Sequence, residues 1–304
     1  MEPRAYRGHD DRARMLALAT LAAGETVHVV DLPYRLASWA FDCPETTALW
    51  ERDGELLAWA ALQAPFWTLD YALHPAAPAD TLAALLAWAD GAAARLRATP
   101  YGRPVWFAGV PEGQGERRRV FAAAGYSDQS GGDEPWSQVI MRRAGEEPPP
   151  AVALRPGFAI RPLRGAAEVL AYVALHRAVF GTENMTADWR AATLRAPGYR
   201  PEFDLVATDP DGELAAFVIG WQHTTAGGRL IGMVEPFGVR EDARRYGLAW
   251  ALMFELLRRF DATGAAEVRV MTDNYRDTAF AFYGGCGFQV IDRVLMLGKE
   301  VDNG

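Results

Sequence analysis

Arg244-Arg245-Tyr246-Gly247-Leu248-Ala249 is the stretch on which the reading of this chain turns. A mostly apolar run of strand character, Leu230 to Val239, precedes it, and a helical pattern follows from Gly247 to about Thr263 and stops at Gly264. The six residues therefore form a strand-to-helix turn. The first N–H groups of a helix have no partner within it, and the helix dipole adds partial positive charge there. Such an end suits a pyrophosphate. Gly247 and Ala249 are small enough for close backbone approach, and Arg244 and Arg245 add charge-assisted contacts. A cation at a helix N-terminus is unfavourable by about 0.3–1 kcal/mol, so two adjacent arginines there need a reason, which an anion supplies. The competing reading is a basic first turn with glycine as a joint.

On either side of this stretch the second half of the chain alternates strands and helices. A strand is expected at Phe158–Leu163, a helix at Ala166–Val179 and a shorter one around Met185–Leu194. Two strands, Phe203–Thr208 and Glu213–Trp221, flank the turn Asp209-Pro210-Asp211-Gly212. After the long helix come a strand at Glu267–Thr272, a helix at about Thr278–Gly284 and a last strand from Gln289.

The first half repeats that order. Strands are expected at Thr46–Glu51, Leu56–Leu62 and Trp67–Leu73, and an alanine-rich helix at Asp80–Leu96. Val105–Val110 reads as a strand, Arg117–Ala123 as a helix, and Trp136–Met141 as a strand. Glu146-Glu147-Pro148-Pro149-Pro150 continues neither helix nor central strand and reads as a linker. The expectation is α+β: two tandem domains, residues 1–147 and 154–304, each a mixed, mostly antiparallel sheet flanked by helices.

Bulk composition narrows the function. With 304 residues, 50% hydrophobic and 23% charged, the chain has ordinary globular character and room for two domains. A net charge of −8, spread along the sequence, argues against a nucleic-acid partner. Charges break every apolar run before the roughly 18–20 residues of a membrane span, and the charged N-terminus has no secretory core. Two cysteines, Cys43 and Cys286, make neither a disulfide scaffold nor a cysteine-rich metal site. A cytoplasmic setting, no metal, and a monomer or homodimer are the expectations.

Val234-Glu235-Pro236-Phe237-Gly238-Val239, then Arg244 to Ala249, then Phe282-Tyr283 and Gly287-Phe288, together resemble the GNAT superfamily of N-acetyltransferases over nearly all of residues 155–298. His176-Arg177 with Phe180-Gly181, and Pro197-Gly198-Tyr199-Arg200-Pro201, are similar to the tandem-domain type that includes mycothiol synthase. The resemblance implies an acetyl-coenzyme A co-substrate. Phe237, Gly238 and Val239 would line its pantetheine arm, and Arg244, Arg245, Tyr246, Gly247, Leu248, Ala249 and Trp250 its pyrophosphate. Tyr283 would protonate the departing thiolate. The family's cofactor-contacting asparagine corresponds to Asn274 or to Arg276.

The chemistry of the residues agrees. Transfer of an acyl group to an amine needs a base, a polarised carbonyl and an acid for the leaving thiolate. A phenol with a pKa near 10 matches a thiol, so Tyr283 suits the acid; otherwise it is a core aromatic beside Phe280 and Phe282. Glu235 stands in an apolar strand, where a carboxylate is costly unless solvated, paired or used. Burial would lift its pKa toward that of a base, whereas on an exposed edge it is a solvated glutamate. Pro236 removes a ladder donor, so a bulge or splay is expected beside Glu235. His176 reads as a packed helix residue and His223 as a weak candidate for substrate contact.

The first half fails the same test. Ala76-Ala77-Pro78-Ala79-Asp80 has no glycine and no base, and Asp80, a good helix cap, would repel a phosphate. Phe121 stands where Tyr283 stands in the second half and has no proton to give. The expectation is one working site, in the second half, transferring an acetyl group by direct attack to a primary amine of a small molecule. A non-catalytic acyl-coenzyme A sensor, and an acyltransferase acting on a protein amine, are the alternatives.

Overall fold

The computed structural model of the chain describes residues 2–301 apart from 25, 132–134, 146–148 and 275. Glu146, Glu147 and Pro148 of the expected linker, and the ends of both expected domains at 147 and 304, lie outside the described residues. The chain packs as two compact units, and neither is one continuous stretch. The first comprises Met1–Ile140, Thr272–Asp277 and Ile291–Gly304; the second comprises Met141–Met271 and Thr278–Val290.

The strands are β1 (Pro3–Ala5), β2 (Thr47–Arg52), β3 (Glu55–Gln63), β4 (Thr68–Leu73), β5 (Val105–Pro111), β6 (Ser127–Asp128), β7 (Ser137–Ala144), β8 (Ala159–Pro162), β9 (Asp204–Thr208), β10 (Leu214–Thr224), β11 (Leu230–Val239), β12 (Glu267–Asp273) and β13 (Gln289–Glu300). The helices are α1 (His9–Leu21), α2 (Leu32–Leu36), α3 (Thr81–Leu96), α4 (Gly115–Ala123), α5 (Val169–Phe180), α6 (Ala187–Thr193), α7 (Leu248–Ala262) and α8 (Asp277–Gly285).

In the first unit the strands run β1-β2-β3-β4-β5-β13, with β6 on β13. The pairing is antiparallel except between β4 and β5. β13 pairs with β5, from Val294 opposite Pro111 to Glu300 opposite Val105. β3 reads Leu-Leu-Ala-Trp-Ala-Ala-Leu because both of its faces are covered. Trp59 and Ala61 pack with Met15 and Leu18 of α1 and with Leu32 and Leu36 of α2. Ala58, Ala60 and Leu62 pack with Leu82, Leu85, Leu86 and Ala89 of α3 and with Phe121. The spacing of those four α3 residues is that of a single helical stripe. Asp80 precedes α3, but its side chain makes no capping bond, contrary to its expected role as a cap.

In the second unit the order is β8-β9-β10-β11-β12. β8 to β11 are antiparallel, whereas β11 and β12 are parallel. Two glycines admit the long helix: a Cβ on Gly220 or Gly232 would stand 2.6 or 3.2 Å from the Phe260 ring of α7. On α5, Tyr172, His176 and Phe180 all lie against Phe217 of β10. Gly238 admits Val179, whose Cγ1 would be 2.5 Å from an added Cβ. These are mixed, mostly antiparallel sheets flanked by helices, as the sequence leads one to expect.

Candidate functional site

β11 carries an irregularity where Pro236 demands one. Val218 faces Phe237 and Gly220 faces Val234, so Ile219 alone stands opposite both Glu235 and Pro236. This is the expected bulge: a residue without an N–H cannot serve the ladder, and the extra residue takes up the slip. The carbonyl of Glu235 accepts the indole Nε1–H of buried Trp221 at 2.7 Å. On the other edge of β11, parallel pairing with β12 runs from Ile231 opposite Glu267 to Met233 opposite Arg269 and ends there among the described residues. The strands part beyond Met233, so Val234–Val239 presents an edge without a β12 partner. Glu235 is partly buried within this stretch.

Four residues after the end of a short 3-10 turn, Glu241–Ala243, Gly247 caps α7 with φ 80° and ψ 2°. No side chain caps the first turn of the helix, which leaves its N–H groups to an outside acceptor. Arg245 also has a left-handed backbone, φ 67°. Arg244 and Arg245 are exposed, and among the described residues neither pairs with a carboxylate. Arg244 Nε reaches only the Val239 carbonyl, at 3.4 Å. Asp242, the nearest acid whose partner is defined, is taken by Arg240 at 2.6 Å. Tyr246 is flanked by Phe158 at 5.4 Å and by the Arg155 guanidinium 4.6 Å from its ring centre.

An aromatic cluster joins the three expected segments. Phe237 stacks on Phe282 at 5.5 Å, Trp250 meets Phe282 edge-on at 5.1 Å, and Tyr283 adjoins Phe282 and Phe288. A Cβ on Gly285 would collide with the Trp250 ring, so the end of α8 is glycine where the two helices touch. Tyr283 is half-buried, and Phe280 is exposed. The structure thus brings Phe237, Trp250 and Tyr283 together around Phe282. Asn274 falls in the first unit, where its Oδ1 accepts the Ser137 backbone N–H at 2.9 Å and its own N–H donates to Ser137 O at 2.8 Å. Arg276 pairs with Asp273 at 2.8 Å.

The sequence reading missed a buried polar cluster beside the bulge. Arg190 of α6 and Asp204 of β9 form an ion pair with both side chains fully buried. Tyr199 donates to Asp204 at 2.6 Å, and the Arg190 guanidinium lies 3.8 Å from the centre of the Tyr172 ring. Burial raises the Tyr172 phenol; Arg190 opposes that shift, and Asp204 and Glu235 reinforce it. His176 is packed, as expected, and burial with the nearby Arg190 charge pushes it down to about 4, so it is neutral at pH 7. His223 lies near the end of β10, partly buried, its pKa lowered by burial and by Arg269. Its members come from α5, α6, β9 and the loop before β9, and no sequence period links them.

Two mixed sheets with flanking helices, the second bearing a bulged strand, a parted β11–β12 pair and an open glycine-capped helix, make this a tandem GNAT fold. Residues 171–288 match the acetyltransferase (GNAT) family. The mycothiol acetyltransferase of Salinispora tropica is 33% identical over 153 residues, which take in 49% of this chain and 50% of that protein. The chain thus spans about half the length of this curated relative. Among solved structures, a GCN5-related N-acetyltransferase from Sphaerobacter thermophilus superposes with a TM-score of 0.66 at 21% identity, covering 100% of this chain and 96% of that one. A tandem GNAT protein from the clavulanic acid biosynthesis pathway gives 0.68 at 16% identity, covering 100% and 99%. Among the described residues no helix is long and apolar enough to cross a membrane.

Proposed function

We propose that this chain is an N-acetyltransferase that moves the acetyl group of acetyl-coenzyme A to a primary amine of a small molecule, by direct attack in the second unit. The observation that carries the reading is the start of α7: a glycine-capped first turn with no side-chain cap, flanked by two exposed arginines with no carboxylate partner among the described residues. That donor set fits a pyrophosphate. Arg244–Trp250 would hold it, and the unpaired edge at Phe237, Gly238 and Val239 would hold the pantetheine arm. The family match at 171–288 and the relative named mycothiol acetyltransferase support acetyl transfer and a small-molecule acceptor.

When bound, acetyl-coenzyme A supplies the activated acyl thioester. The chain's own part is proton management and orientation. The Glu235 carboxylate takes a proton from the amine, so that a neutral nitrogen attacks. The Tyr283 hydroxyl gives a proton to the leaving sulfur. Among its described residues the first unit offers no matching site: Ala76–Asp80 carries no base, and Phe121 is fully buried against Tyr71 and Tyr126. One cofactor per chain follows.

The test is free-thiol release from acetyl-coenzyme A across a panel of amines. Glu235→Gln and Tyr283→Phe should each lower kcat by about 10²-fold or more. If both leave turnover unchanged, the assigned roles are wrong. Titration that finds two equivalent coenzyme A molecules per chain would overturn the one-site reading.

A further inference from the structure

Five polar atoms in one part of the second unit are buried and have no hydrogen-bond partner among the described residues: Tyr172 Oη, His176 Nδ1, Arg190 Nε and Nη1, and Asp204 Oδ1. Tyr172, Arg190 and Asp204 are fully buried, and His176 is 6% exposed. Buried polar groups are almost always satisfied, so several orphans in one cluster mark a place that something polar fills. The atoms are mixed in kind. Arg190 offers only donors, Asp204 Oδ1 only accepts, and Tyr172 and neutral His176 can do either. An anion would suit Arg190 and repel Asp204, and a cation the reverse. Water satisfies both, and buried water commonly makes two to four such bonds.

The cluster also forms a circuit that returns to the proposed base. Glu235 is held at its carbonyl by Trp221, whose ring packs on Tyr199 at 6.4 Å. Tyr199 donates to Asp204, Asp204 pairs with Arg190, and Arg190 covers Tyr172. Ile219, which stands opposite Glu235 at the bulge, is on its other side the register partner of Asp204, and the Glu235 charge adds to the upward shift of the Tyr172 phenol.

We propose that Tyr172, Arg190 and Asp204 enclose a small internal water site that orients the Glu235 carboxylate, with Tyr172 as its positioning residue. The proposal rests on the reading of Glu235 as the base. The hydroxyl donates, through water, to the ionised carboxylate and so favours the form that accepts the proton. The charged and titratable groups facing this region are Tyr172 and His176 on α5, Arg190 on α6, Tyr199 on the loop after it and Asp204 on β9. His176 is neutral over the working range, and Tyr172 and Tyr199 hold their protons. The Glu235 carboxylate is therefore the group expected to set the acidic limb.

The test is the pH profile of kcat/KM for the full chain with acetyl-coenzyme A and an accepted amine. Tyr172→Phe should move the acidic limb upward by about half a unit or more, with the affinity for coenzyme A unchanged. A second variant, Tyr199→Phe, removes a hydroxyl of the same network and should move the limb in the same direction by less. If Glu235→Gln abolishes the limb while neither tyrosine variant moves it, the positioning role is overturned and the base stands. If Glu235→Gln keeps the wild-type limb, the reading of the base has failed instead. If Tyr172→Phe does not fold, an unmoved limb in Tyr199→Phe overturns the water site by itself.

Discussion

The indole nitrogen of Trp221 donates to the main-chain carbonyl of Glu235 across 2.7 Å, from one strand to its neighbour at the bulge. A bulge leaves a residue without a ladder partner, and here a side chain supplies the missing donor. The backbone of the proposed base is thereby fixed by a residue that does no chemistry. Trp221 is 1% exposed, so water has little access to take its place.

Trp221→Phe should therefore cost about 1–3 kcal/mol of stability, the typical penalty for a buried carbonyl left without its donor. It should also lower kcat more than it raises KM for acetyl-coenzyme A. Guanidinium unfolding and steady-state kinetics measure the two effects. A variant as stable and as active as the wild type would show that the bond is incidental.

Gly247 carries φ 80° at the cap of α7. Gly247→Ala should strain that conformation by about 1–2 kcal/mol and tilt the first-turn N–H groups. The space is open, with only Val152 Cγ1 at 4.0 Å from an added Cβ, so the fold should survive. Calorimetric titration should show coenzyme A affinity falling about tenfold with the near-ultraviolet circular dichroism unchanged. Unaltered affinity would place the pyrophosphate elsewhere.

His176 makes stability depend on pH with a definite sign. In the folded chain it stays neutral down to about 4, whereas its ordinary value is 6.5. Between those values the unfolded chain binds the extra proton, so stability falls as pH drops from 6.5 toward 4. The loss is at most about 3 kcal/mol, taking 1.36 kcal/mol per unit. His176→Phe, which keeps a ring against Phe217, should lack this part of the slope. Urea midpoints at several pH values would reveal it, and parallel curves for the two proteins would count against the neutral histidine.

Arg190 and Asp204 are buried together, and breaking such a pair leaves an uncompensated charge. Arg190→Met should destabilise by about 3–5 kcal/mol. Adding Asp204→Leu should restore a large part of that, since an apolar pair of similar volume is often tolerated. Chemical denaturation of the two single variants and the double variant gives the coupling directly. Additive losses would mean that the two side chains do not depend on each other.

Much of this was legible beforehand because the local signals were strong. The strand Leu230–Val239 is visible in its apolar run, and Gly264 ends its helix as a left-handed glycine does. Pro236 forecast the bulge for a reason that does not depend on the fold. The opening residues were not legible: α1 is polar along much of its length, His-Asp-Asp-Arg-Ala-Arg, and shows a weak stripe. The Tyr172–Arg190–Asp204 cluster escaped because its members come from α5, α6 and β9, and no sequence period links them. The composition of the two units escaped for a similar reason, since pairing partners such as Val294 and Pro111 are far apart in the sequence.

That composition bears on how the protein is made. The first unit holds the opening residues, yet Leu295 and Leu297 sit in its core and Arg97 grips the carbonyl of Val301. A ribosome building the chain from its N-terminus releases the early strands long before the one that seals them. Until Val294–Glu300 emerges, β5 has a bare edge where that strand will pair. The nascent first half is then an incomplete sheet open to pairing with other chains. Chaperone binding to stalled chains should accordingly persist until Val294–Glu300 is out.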